Sequence, residues 1–97
     1  MSYSATLDNK LQTGGDVASN NGWNRFREWV ESRNAEIPQL RHLVEFGWCQ
    51  HLDILLTDLG VAVGEGVDAD NLSVARGIGN MLLKKADAET IVISDGT

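Results

Sequence analysis

Residues 38–59, PQLRHLVEFGWCQHLDILLTDL, constrain the fold more than any other stretch. Leu40, Leu43, Val44, Gly47, Trp48, Ile54, Leu55 and Leu59 recur with the three-to-four-residue spacing of an amphipathic helix. Pro38 suits a first helical position, where its missing N–H costs nothing, and Gly60 can take the left-handed conformation that ends a helix. An unbroken helix B over 38–59 would be about 33 Å long. Phe46, Leu52 and Leu56 fall on or beside its other face. A rod apolar on two sides must be enclosed by its own fold or by a partner. Gly47 within it weakens the helix by about 1 kcal/mol relative to Ala, which points to close backbone packing or a kink.

Two further helices are predicted around that rod. Helix A spans 22–33, with Asn20 or Asn21 as its cap and Trp23, Phe26 and Val30 on its inner face. Arg27 and Glu31 stand at the i, i+4 spacing of an ion pair. Helix C spans 70–86. Asp68 or Asp70 caps it, Lys84 and Lys85 sit in its last turn, and Ala75 and Gly79 admit a close neighbour. Thr90–Ser94 reads as a strand closed by a turn at Asp95–Gly96, and residues 3–7 as a short edge strand able to pair with it. Residues 1–20 otherwise read as a loop or mobile arm. The expected fold is therefore mostly α (α+β) and single-domain: three helices around a long central one, with paired terminal strands. A purely helical domain with ragged ends is the alternative.

Charge narrows the partners. The net charge is −6, carried mainly by the second half, where eight acids face three bases. From Asp53 to Asp70 there are five acids and no base. Such a surface repels nucleic-acid backbones and attracts basic proteins or divalent cations. No apolar run reaches the roughly 20 residues of a membrane span, so no membrane partner is expected. No basic-then-apolar leader opens the chain, and the single Cys49 suits a reducing compartment, so a cytoplasmic location is expected.

The motifs that would carry chemistry fail on inspection. The segment GEGVDA, residues 64–69, fits G-x-G-x-x-A, yet Glu65, Asp68 and Asp70 put negative charge where a pyrophosphate would lie. Helix–loop–helix is the better reading of 61–77. A calcium loop counted from Asp68 has Leu72, Ser73 and Gly79 at positions five, six and twelve, where an acid or amide, a Gly and a Glu are required. His42, Glu45, Cys49 and Asp53 share one side of helix B but span about 16 Å of rise, too far for one ion. Cys49 and His51 diverge on a helix and cannot form a thiolate–imidazole pair, and no G-x-S-x-G elbow occurs. No cofactor, no metal and no catalysis are expected.

The residues left over suggest contact. Three tryptophans are many for 97 residues; most should fill the core, with Trp29 or Trp48 reaching a partner. The expected function is a small acidic protein-interaction module of the regulator, adaptor or inhibitor type. Trp29, Phe46, Trp48, Leu52, Leu56 and Asp53 would contact a protein partner, a basic one or a second copy forming a homodimer through helix B. The alternative is a small-ligand binder or minor enzyme with a pocket at Trp48, Cys49, His51 and Asp58.

Overall fold

In a computed structural model, which describes residues 2–8, 16–33, 36–65, 68–84 and 88–95, the elements run β1 (Ser2–Leu7), β2 (Asp16–Ser19), α1 (Asn20–Glu31), α2 (Pro38–Phe46), β3 (Trp48–Cys49), α3 (Leu52–Gly64), α4 (Ala69–Lys84) and β4 (Ile91–Asp95). The class is mostly α with an antiparallel sheet, and the terminal strands pair as expected. Sheet order is β2-β1-β4-β3, so β1 is an inner strand, not an edge. Its alternation explains why. Ala5 and Leu7 on β1, with Ile91 and Ile93 on β4 and Cys49 on β3, point into the core. Between them Ser4, Thr6, Val92 and Ser94 keep more contact with solvent.

The stretch 1–20 is thus not an arm throughout, because 2–7 and 16–19 are strands; residues 9–15 lie outside those described. Asp8 ends β1 in the left-handed region, at φ 53°. Its Oδ1 accepts from the amides of Glu89 and Thr90 at 2.8 and 2.9 Å and from the Thr90 hydroxyl at 3.3 Å. One carboxylate therefore ties the approach to β4 onto the end of β1.

α1 forms as its periodicity requires, although Ser19 caps it, accepting from the Gly22 amide at 3.1 Å, where an Asn was expected. Trp23, Phe26 and Val30 are buried, and Tyr3 on β1 stacks on Trp23 with ring centroids 5.4 Å apart. Arg27 and Glu31 pair at 3.5 Å on the surface. α4 begins behind Asp68, whose Oδ1 accepts from the Asn71 amide at 3.0 Å, and its Asn71, Val74, Ala75, Ile78 and Leu82 face inward. A Cβ on Gly79 would meet Leu56 of α3 at 4.0 Å, so that glycine marks the close helix approach read from the sequence. Lys85 and Gly96 lie outside the described residues.

The central rod is the main correction. Residues 38–59 do not form one helix: α2 stops at Phe46, Gly47 turns left-handed at φ 79°, two residues of strand follow, and α3 restarts at Leu52. Gly47 makes the break possible, because a left-handed residue is costly for any side chain. Its amide donates to the Leu43 carbonyl at 2.8 Å, closing α2, while its carbonyl accepts from Ile93 at 2.8 Å, opening the ladder to β4. Among the described residues there are four helices, not three. α3 also runs past Gly60 to Gly64, since burial of Ala62 outweighs the glycine's weak helix preference.

Candidate functional site

The break at Gly47 creates the most exposed aromatic surface among the described residues. Phe46 closes α2 and is 62% exposed; Trp48 opens β3 and is 42% exposed. Strand alternation sends the next residue, Cys49, into the core and leaves Trp48 facing out. His42 lies one helical turn before Phe46. Its Nδ1 is 2.8 Å from the Trp48 carbonyl oxygen. A carbonyl only accepts, so Nδ1 carries the hydrogen and donates. The same ring sits 4.8 Å from the Phe46 ring and 4.7 Å, edge on, from the Trp48 ring. One imidazole therefore fixes both aromatics and occupies the outward carbonyl of the sheet's edge strand. Side chains held before binding lose less entropy when a partner arrives.

Beside this patch the chain forks. β3 and β4 pair only at Trp48–Val92 and Cys49–Ile91. Beyond that, residues 50–54 turn into α3 while 88–90 are held toward β1 by Asp8. The strands separate around an open cleft of about 520 Å³, lined by Gln50, His51, Leu52, Asp53, Ile54, Ala88, Glu89 and Thr90. Asp53 and Glu89 make no ion pair among the described residues, whose pairs are Arg25–Asp70, Arg27–Glu31 and Arg33–Glu65.

The structure gathers some predicted site residues and separates others. Phe46 and Trp48 share the patch. His51 and Asp53 line the cleft, but Cys49 and Asp58 do not. Leu52 and Leu56 are half-buried against the core, and so is Trp29, covered by the Arg33 guanidinium 5.0 Å above its ring. Trp23 and Trp29 thus follow the core reading, and Trp48 is the one that reaches outward.

Asp58 and Cys49 have structural duties. Asp58, 4% exposed, accepts from the amides of Gln39 and Leu40 at 2.8 and 3.2 Å and so caps α2. The Cys49 thiol donates to Gln39 Oε1 at 3.3 Å. Burial pushes that thiol above its ordinary pKa; a backbone hydrogen bond from His51 pulls it down, and the Asp58 charge adds to the rise. Such a thiol is protonated and unreactive at neutral pH.

No trio of His, Cys, Asp or Glu is placed to hold a metal among the described residues, and the set His42, Glu45, Cys49, Asp53 is dispersed by the break. Val61–Val63 belong to α3, so the glycine-rich stretch joins two helices and does not follow a strand. No described helix is long and apolar enough to cross a membrane.

Sequence reasoning weighed His42 as a metal ligand, not as a clamp for neighbouring aromatics, and placed Ile54 on the inner face, whereas Ile54 is exposed. It did not connect Glu89 with the cleft. The pairing of 48–49 with 91–92, more than forty residues on, is what brings those groups together, and nothing local signals it. No family model, no curated protein and no solved structure matches the chain.

Proposed function

We propose that the chain is a small protein-interaction module of the regulator, adaptor or inhibitor type that holds a basic protein partner. The observation that carries this reading is the exposed Phe46–Trp48 pair locked around His42. Exposed Trp and Phe held in place are what contact hot spots are made of. Their ring faces also attract Arg and Lys cations. The net charge of −6 favours encounter with a positive partner. A second copy is a weaker choice of partner than the sequence alone suggested. The rod that required a twin is absent, and each copy brings the same negative charge.

The test is capture from cells of the source organism by wild type and by the Phe46→Ser/Trp48→Ser variant, with circular dichroism to confirm that the variant folds. The expected result is a basic partner retained by wild type and bound about 30-fold more weakly, or worse, by the variant. A folded variant that binds as well as wild type overturns the reading. A mass that doubles with concentration in light scattering would put a second copy in the partner's place.

A small-ligand binder or minor enzyme is the second reading, favoured by the cleft beside His51. The cleft is open and Cys49 is buried away from its lining, which suits a side chain arriving from outside better than an enclosed reaction.

A further inference from the structure

We propose that the cleft between residues 50–54 and 88–90 is the seat of an arginine or lysine side chain from the partner, whose backbone crosses Trp48. The proposal rests on the interaction-module reading and names the recognition chemistry of that surface. Its first support is continuity. Gln50, which lines the cleft, is two residues beyond Trp48, which places their backbones within about 7 Å. A segment lying on the aromatic patch therefore has the cleft within reach of one long side chain.

The second support is the lining itself. Leu52, Ile54 and Ala88 offer aliphatic contact for the methylene stem of Arg or Lys. Asp53 and Glu89 offer two carboxylates without an ion-pair partner among the described residues, and no described Lys or Arg lines the cleft. In the cleft lined by Ser32, Arg33, Glu36 and Glu65, by contrast, the chain supplies its own cation, with Arg33 Nε 3.7 Å from Glu65. Among the described residues, one acidic recess thus holds a cation of the chain's own and the other holds none. A carboxylate is what a forked guanidinium pairs with bidentately. The trio that a metal ion would want is missing among the described residues.

The experiment is an amide NMR titration of the full chain with a capped tri-arginine peptide at near-physiological salt. The isosteric neutral tri-citrulline peptide is the control. Two variants of equal charge change follow: Asp53→Asn/Glu89→Gln in the cleft, and Glu28→Gln/Glu36→Gln outside it. The expected result is saturable shifts at residues 48–54 and 88–90. The affinity should fall about tenfold or more in the cleft variant and less than about twofold in the other, with citrulline binding negligibly. Equal losses in both variants, or shifts scattered over all the acids, overturn the proposal by showing unspecific charge attraction. Shifts confined to 42–48 overturn the cleft assignment while leaving the interaction module standing. Shifts at the cleft that grow with protein concentration without peptide overturn it in favour of a second copy. Equal binding of the citrulline peptide overturns it in favour of a neutral ligand.

Discussion

Replacing Asp58 by Ala removes the cap of one helix from the middle of another. α2 has no local means of satisfying its first amides. Pro38 has no N–H, and Ile37, at the cap position, has no acceptor side chain; the Arg41 amide is already bonded to the Ile37 carbonyl at 3.0 Å. The amides of Gln39 and Leu40 both depend on Asp58 Oδ2. A buried donor stripped of its acceptor costs about 1–3 kcal/mol. Gln39 is half-buried and belongs near the low end, whereas Leu40 is fully buried and belongs higher. The loss should be about 3 kcal/mol, a large part of the roughly 5–15 kcal/mol that holds a small domain together. For a chain of this length that lowers Tm by about 12–24 °C. Asp58→Asn keeps an oxygen in place and gives up only the charge, for about 1 kcal/mol. Urea unfolding followed by tryptophan fluorescence measures both, with an unchanged slope confirming that the native state alone was altered. An Ala variant within about 0.5 kcal/mol of wild type, or an Asn variant as damaged as the Ala variant, would refute the capping argument.

Other perturbations isolate other features. Gly47→Ala forces a side chain into the left-handed region and sets a Cβ 3.3 Å from the Ile93 carbonyl oxygen, so it should cost about 1–2 kcal/mol in urea unfolding, and Gly47→Asn less. Gly60→Ala and Gly77→Ala, in helix interiors with nothing within 4 Å of the new Cβ, should each stabilise by about 0.5–1 kcal/mol. Cys49 bears on alkaline stability. Its folded pKa is raised, so the unfolded chain gives up the thiol proton first and stability falls as pH rises above the ordinary thiol value of about 8.5. Cys49→Ala should flatten that slope, and a thiol reagent at neutral pH should label wild type only as fast as it opens.

Much of the fold can be read from local pattern. α1 and α4 follow from the spacing of Trp23, Phe26 and Val30 and of Ala75, Ile78 and Leu82, and the terminal strands from the alternation of Tyr3, Ala5 and Leu7 and the β-branched run at 90–93. The break at 47 is hidden for a physical reason. Trp48 and Cys49 are apolar, so they continue the helical rhythm although they belong to a strand. A two-residue strand is too short to show its own period. A glycine in mid-helix costs only about 1 kcal/mol, so Gly47 alone does not decide between weak helix and stop. What decides is distant: the Ile93 amide and the Ile91–Val92 edge that accept β3. The one local hint is Asp53, an acid in the first turn of a new helix, where the dipole favours it.

That break also relocates the chain's apolar excess. A continuous rod would spread Phe46, Leu52 and Leu56 along one greasy face and make burial of that face the problem to solve. With the turn at Gly47, Leu56 lies over Gly79 and Leu52 packs on the core, so the second half of the face is half covered within the molecule. Phe46 and Trp48 are left behind at the fork, gathered on one imidazole, and the lining of the acidic cleft begins at Gln50, two residues on from Trp48. A broad apolar face asks for a twin helix. On the function proposed above, a small aromatic patch near an acidic recess would take a short segment with a cation at the right distance, and the net negative charge would draw such a segment in.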